Sequence, residues 1–298
     1  MRFLIIGGSG FIGRSLSAKI TAMGGSVTLV SRTPMQHDHK IGNARFSVAD
    51  MSLDEEVARV FSEPYDYVVN ALGYVDHSPF YAGGMEVIDV HFSSVIKQLK
   101  YIQRDTLKRY IYIGSADEYG DQKNKSGETC REQPNSPYSF AKVAAGHLLQ
   151  MLWHSEKFPA TIVRIFLTYG PEQGLNRFIP QVITDAVNGL DIRASPGEQV
   201  RDFCYIDDIV DGLIAIMESD NVSGHTLNLA SGQPVKVRDV VDIIAGHFDA
   251  NVDFGARPYR PGEVMYQVAD ITKIKQLTAW KPKVSLKEGI EKTIKWYR

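Results

Sequence analysis

The chain has 298 residues, 44% of them hydrophobic, enough for one large α/β domain or a large domain with a smaller lobe. A net charge of -2 at pH 7, with no basic block or acidic tail, argues against nucleic acid as the main partner, because a phosphate backbone calls for a concentrated positive surface. The two cysteines, Cys130 and Cys204, offer neither metal-ligand spacing nor a disulfide framework, which suits a reducing cytoplasm, and no run is long and apolar enough to span a bilayer.

Met1-Arg2-Phe3-Leu4-Ile5-Ile6 runs directly into a glycine turn and lacks the layout of a signal peptide. Strands are expected at Arg2–Ile6, Ser26–Val30, Arg45–Ala49, Tyr65–Asn70, Arg109–Ile113 and Thr161–Ile165. Helical periodicity fills Phe11–Met23, Leu53–Ser62, Met85–Arg104 and Ser136–Ser155 between most of them. This alternation predicts a doubly wound parallel α/β sheet of Rossmann type, covered on both faces. After Leu167 the rhythm changes: Pro171, Gly174, Pro180, Gly189, Pro196 and Gly197 cut the chain into shorter pieces. A helix follows at Asp207–Glu218, a strand at Thr226–Leu229, a loop around Pro258, Pro261 and Gly262, and a last helix at Leu286–Tyr297. The expected division is a dinucleotide-binding domain over 1–166, to which 203–229 returns, and a smaller C-terminal α/β substrate lobe over 167–202 and 230–298. That lobe is expected over the carboxyl edge of the sheet, where open α/β sheets bind ligands.

Gly7, Gly10 and Gly13 follow the first strand and open the first helix. Glycines there permit a tight turn and close approach of backbone to a pyrophosphate, while Phe11 and Ile12 begin the helix whose N–H groups face the anion. The cofactor is decided at the end of the second strand. NAD sites commonly place a carboxylate there, but this chain has Ser31 and Arg32, a hydroxyl and a guanidinium that suit a 2′-phosphate, so NADP(H) is expected. Asp50, followed by Met51, ends the third strand within reach of the adenine amine, and Ala71 and Gly73 keep the end of the fourth strand small. Ser115 closes the fifth strand at the same edge. Tyr138 and Lys142, four residues apart, share one helix face, where an ammonium favours the phenolate and lets the phenol exchange protons near neutral pH. Singly, each pattern has a plainer explanation: a strand–helix turn, a loop cap for Arg32, a turn serine, a surface Tyr–Lys pair. Together they form a proton-transfer set beside a hydride carrier, with no metal required.

The motifs carry a resemblance over nearly the whole chain. Gly7-x-x-Gly10-x-x-Gly13, Ser115-Ala116-Asp117-Glu118-Tyr119-Gly120, Ser136-Pro137-Tyr138-Ser139-Phe140-Ala141-Lys142, Tyr169-Gly170-Pro171, Asn176-Arg177-Phe178-Ile179-Pro180, Arg201-Asp202-Phe203-Cys204-Tyr205-Ile206-Asp207-Asp208, Arg260-Pro261-Gly262-Glu263 and Trp280-Lys281-Pro282 occur in order. The chain resembles an extended short-chain dehydrogenase/reductase of the nucleotide-sugar-modifying (NAD-dependent epimerase/dehydratase) family. The resemblance implies that Ser115, Tyr138 and Lys142 are catalytic and that the nicotinamide ribose also meets Tyr138 and Lys142. It implies that Ser115, Asp117, Asn176, Arg177, Arg201, Arg260 and Glu263 line a nucleotide-diphosphate-sugar site; on the residues alone, Arg201 equally reads as a salt bridge to a nearby aspartate. It also implies a homodimer, because relatives pair the two long helices. Three departures from the family pattern narrow the subgroup. The 4,6-dehydratases carry Thr-Asp-Glu where this chain has Ser115-Ala116-Asp117, and Ala116 has no proton to give. Leu167 replaces an asparagine before Tyr169-Gly170-Pro171, and His91 stands where relatives often have a structural asparagine and is expected to be a packing residue. Because a net reductase must exchange its cofactor, Ser31 and Arg32 point to net reduction by NADPH, and the resemblance, nearest to reductases of nucleotide-linked 4-keto-6-deoxy sugars, implies that substrate class. A 4-epimerase or epimerase/reductase holding NAD tightly is the alternative, and a non-catalytic dinucleotide sensor a more distant one.

Overall fold

Leu4, Ile5 and Ile6 are fully buried, so strand β1 (Arg2–Ile6) needs sheet neighbours on both sides and cover on both faces. In the computed structural model, which describes residues 1–34, 41–260 and 262–298, it has them. β1 pairs in parallel with β2 (Ser26–Ser31) and with β4 (Tyr67–Asn70). β3 (Arg45–Val48) adds in parallel beyond β2, and β5 (Arg109–Ser115) beyond β4. With β6 (Ala160–Ile165) and Thr226–Leu229 they make a seven-stranded sheet in the order Thr226–Leu229, β6, β5, β4, β1, β2, β3. The expectation of a Rossmann-type parallel sheet is borne out. Ile6 lies opposite both Val30 and Asn70, and Asn70 opposite Tyr112, so Gly7, Ser31, Ala71 and Ser115 all emerge at one edge. The strand order reverses between β1 and β4, and such a reversal opens a crevice at that edge.

Helices α1 (Phe11–Ala22) and α2 (Asp54–Val60) follow the expected spans closely. The expected helix Met85–Arg104 is interrupted: α3 (Met85–Ile88) and α4 (Ser94–Tyr101) flank a wider, π-type turn at Asp89–Ser93, and the helix stops at Tyr101 because Ile102 turns extended to enter the core. α5 (Pro137–Glu156) begins where chemistry dictates, with the Ser136 hydroxyl accepting from the Ser139 N–H and proline at the first position.

The chain divides into two compact units: Met1–Gly120, Arg131–Arg164 and Leu213–Leu227 form the first, and Asp121–Cys130, Ile165–Gly212 and Asn228–Arg298 the second. In the second, helices Phe178–Val187, Val237–Phe248 and Leu286–Tyr297 pack together beside three small sheets. The first two of these helices were not assigned from the sequence. Pro180 reads as a breaker but stands third in its helix, where an N–H has no intrahelical partner to lose. Val237, Val240, Val241, Ile244 and Ala245 bury one face of the other at helical spacing. Asp202, fully buried, ties this unit together by accepting from the Ser231 hydroxyl and the N–H groups of Ser231, Gly232 and Ala269.

Candidate active site

Gly10 caps α1 in extended conformation, and the first turn of α1 has no acidic residue, so the positive end of the helix faces outward unneutralised. Gly7 in the turn before it and Gly13 in its first turn have no room for a side chain: a Cβ on Gly7, at φ +82°, would lie 2.5 Å from the Ala71 carbonyl oxygen, and one on Gly13 2.5 Å from the Gly7 carbonyl oxygen. Arg14 braces the turn by donating to the Ser9 carbonyl at 2.8 Å. The Ser31 hydroxyl is buried and held by Ser9 Oγ at 2.7 Å and by the Thr33 N–H at 3.3 Å. Arg32 is exposed, 6.0 Å from the Tyr74 ring centroid, so of the two residues expected to meet a 2′-phosphate it is the arginine that reaches outward. Burial raises the Asp50 carboxyl, but the Ser52 hydrogen bonds and the charges of Arg32 and Lys97 bring it below the usual carboxylate range. Met51 is buried among core residues. Gly73, at φ +124°, leaves room for the His91 ring, which a Cβ would strike at 1.8 Å. A helix end with no side-chain cap, glycines whose Cβ positions are filled by backbone and an outward cation together fit a nicotinamide dinucleotide.

The expected proton-transfer residues meet on β5, the turn after it and α5. Ser115 ends β5 and caps a single 3₁₀ turn: its Oγ accepts from the Asp117 N–H at 3.1 Å, while its own N–H donates to Glu118 Oε1 at 2.8 Å. With its oxygen accepting from backbone, the hydroxyl proton is left to donate. Tyr138 is largely buried in the first turns of α5. Lys142, one turn on and also buried, donates to the Ile113 carbonyl at 2.8 Å, with its Nζ 4.8 Å from the Tyr112 ring centroid and 5.9 Å from that of Tyr138. Burial lowers the ammonium to about 8, against the opposing charge of Glu118. Two histidines flank the Tyr138 ring nearly at right angles, His91 at 4.9 Å and His77 at 6.0 Å between centroids. His91 Nε2 donates to the Tyr74 carbonyl at 3.1 Å, and burial, with the Lys142 charge, lowers its imidazole to about 3. It is neutral, as its expected packing role requires. His77 is half-exposed and donates from Nε2 to Asp117 Oδ2 at 3.1 Å.

Sequence reasoning missed His77 and Glu118. Glu118 is fully buried, receives Arg164 Nε at 2.7 Å, and shares that guanidinium with Glu132 at 2.6 Å. Its signal was present: Ser115-x-x-Glu118 is the spacing of a capping box, and the structure forms one. His77 had no local signal, because its carboxylate partner lies forty positions away.

The remaining candidates lie in the second unit. Asn176 and Arg177 are exposed in the turn before helix Phe178–Val187. Arg201 is nearly buried and donates to Glu263 Oε1 at 2.6 Å and to the Val200 carbonyl at 3.0 Å, so a glutamate sixty-two positions on partners it. Arg260 is exposed, its carbonyl accepting from the Glu263 N–H; Pro261 of the same motif lies outside the described residues. Among the described residues, no cluster of three histidine, cysteine or acidic side chains has the geometry of a metal site, and no helix is long and apolar enough to cross a membrane.

Known proteins agree with this architecture. The profile of the NAD dependent epimerase/dehydratase family matches residues 3–230. The chain is 26% identical to human dTDP-D-glucose 4,6-dehydratase, over 100% of this chain and 90% of that one. It is 25% identical to CDP-abequose synthase of Salmonella typhimurium, over 98% and 97% respectively. The fold superposes on UDP-glucuronic acid 4-epimerase from Bacillus cereus, solved with UDP-glucuronic acid and NAD, with a TM-score of 0.90 at 23% identity, covering 100% and 99% of the two chains.

Proposed function

We propose a function from one premise: the chain belongs to the NAD dependent epimerase/dehydratase family, whose model spans 3–230 of it. The proposed reaction is NADPH-dependent reduction of a nucleotide-diphosphate-linked 4-keto-6-deoxy sugar, in the cytoplasm and for the synthesis of surface polysaccharide or glycosides. The observation that carries it is the end of β2, where an exposed arginine stands in place of a carboxylate. A guanidinium there attracts a 2′-phosphate, and a 2′-phosphate marks a cofactor used as an exchangeable reductant.

When bound, the nicotinamide supplies a hydride to the ketone carbon. The chain's own residues handle the oxygen. Tyr138 gives its phenolic proton to the developing alkoxide, and the Ser115 hydroxyl donates a hydrogen bond to the same oxygen. Lys142 stabilises the resulting phenolate by charge. Lys142 and Tyr138 would also hold the nicotinamide ribose, and Gly7, Gly10 and Gly13 would admit the pyrophosphate to the N-terminus of α1. Asn176, Arg177, Arg201, Arg260 and Glu263 would serve the substrate, the arginines being of the kind that suits a diphosphate. The active form is a homodimer.

Tyr138→Phe is expected to lose about 10²- to 10⁴-fold in turnover, the usual worth of a positioned proton donor, while binding NADPH as the parent does. Near-parent reduction of ketosugars by that variant overturns the mechanism. For the cofactor, the parent is expected to bind NADPH more tightly than NADH, and Arg32→Ala to lose that preference. Fluorescence titration with both dinucleotides decides it, and a parent that prefers NADH refutes the assignment. The family also contains epimerases and dehydratases that use a bound dinucleotide without net reduction, and oxidised cofactor retained through purification would favour that reading.

A further inference from the structure

Ketone reduction needs one proton donor, and Tyr138 with Ser115 provides it. The structure holds a second proton-transfer pair against the same phenol. His77 lies perpendicular to the Tyr138 ring at 6.0 Å and donates from Nε2 to Asp117 at 3.1 Å. With the proton on Nε2, the basic lone pair is on Nδ1, and the carboxylate stabilises the imidazolium that forms when Nδ1 takes a proton. The pair is built in rather than fortuitous. Asp76 Oδ1 accepts from the Ser78 N–H at 2.8 Å and fixes the loop around His77. The N–H of Asp117 rests on Ser115 Oγ at 3.1 Å, so the hydroxyl that meets the ketone oxygen and the carboxylate that orients the imidazole belong to one turn. The side chains of His77 and Asp117 keep 49% and 28% of their surface exposed, so a bound ligand can approach them.

We infer that His77 is a catalytic base, with Asp117 as its positioning residue, that removes a proton from the carbon next to the ketone of the nucleotide-linked ketosugar. The inference rests on the substrate class proposed above. In this step the C–H bond breaks and its proton passes to His77 Nδ1. Its electron pair forms a carbon–carbon double bond as the carbonyl π pair moves onto oxygen. That oxygen is the one Ser115 and Tyr138 serve in reduction, so the enolate gains the same stabilisation as the alkoxide. Return of the proton restores the ketone, and no oxidant or reductant is consumed. The site thereby has an enolisation activity alongside hydride transfer.

The test uses the full chain with NADP⁺ in D₂O and, as probe, dTDP- or CDP-linked 4-keto-6-deoxyglucose, with deuterium at the carbons flanking the ketone read by NMR and mass spectrometry. NADPH-driven reduction of the same probe is measured in parallel. The parent is expected to incorporate deuterium faster than enzyme-free buffer. His77→Gln is expected to lower the ratio of exchange to reduction about a hundredfold, and Asp117→Asn about tenfold, in keeping with the worth of a general base and its orienting group. A merely structural role would lower both rates together and leave the ratio unchanged, which overturns the inference. Reduction by the parent without exchange overturns it and leaves the reductase reading standing. Exchange that depends on His77 without reduction supports it and removes the reductase reading, and absence of both removes the two together.

Discussion

His91 and Lys142 show how one buried corner sets two pH responses. The His91 imidazole titrates near 6.5 when unfolded, and burial brings it to about 3 in the folded chain. Above pH 6.5 both states are neutral and the folded state has its full stability. As pH falls below 6.5 the unfolded chain takes up the proton first, and stability is lost by up to about 1.4 kcal/mol per pH unit until about pH 3. His91→Asn removes that dependence. Denaturant melts of parent and variant at pH 7, 6 and 5 are therefore expected to show a stability difference that changes with pH, and a constant difference would refute the account. Lys142 runs in the functional direction. Its ammonium, lowered to about 8, is lost as pH rises through that value, and with it the support for the phenolate. For ketone reduction, kcat/KM is expected to fall along a limb near pH 8. Because Glu118 is the charge that raises Lys142, Glu118→Gln should move the limb to lower pH, and a limb that stays in place would separate the two residues.

At the scale of elements, the turn after β5 is held by a buried ion network rather than by its own short helix. Glu118 binds Arg164 Nε, and Arg164 lies 4.5 Å over the Tyr119 ring and reaches Glu132. Removing the glutamate would take one of two carboxylates from the buried Arg164 guanidinium, leaving its Nε unpaired and Glu132 as its remaining counter-charge. Glu118→Ala is expected to cost about 3–5 kcal/mol in unfolding free energy, measured by urea denaturation, against a far smaller cost for Glu63→Ala in the exposed pair with Arg45. A loss below about 1 kcal/mol would show the network to be dispensable. This element also marks what the sequence could disclose. The sheet, the glycine turn, Ser115 and the Tyr138–Lys142 spacing were legible because each is a local pattern of period, turn chemistry or strand end. Ser115-x-x-Glu118 was legible in principle. His77 beside Asp117, Arg164 between two glutamates and Arg201 on Glu263 are products of chain crossings, and no periodicity records them. The π-type turn that interrupts the long helix at Asp89–Ser93, and the proline tolerated near the start of Phe178–Val187, were illegible for a related reason: each breaks a local rule at a position where its surroundings absorb the cost.

At the scale of the whole molecule, the apolar surface left on the first unit bears on assembly. Phe140 and Met151 on α5 are 50% and 49% exposed, and Ile96 on α4 is 48% exposed. Phe140 and Met151 are eleven residues apart, three turns of helix, so they lie on one face with the exposed His147 between them. A helix whose other side is buried by Ala141, Ala145 and Leu149 has no internal need for this second apolar stripe. The proposed homodimer supplies one, by packing these helices against those of a second copy about a two-fold axis, where the same patch serves on both sides. Sedimentation velocity at micromolar concentration is expected to give a dimer for the parent and a monomer for Phe140→Glu combined with Met151→Glu. Both substitutions lie on the exposed face, so the variant should keep the parent's thermal unfolding profile at high dilution. A parent that sediments only as a monomer would reject the dimer, and a variant that remains dimeric would move the interface off this face.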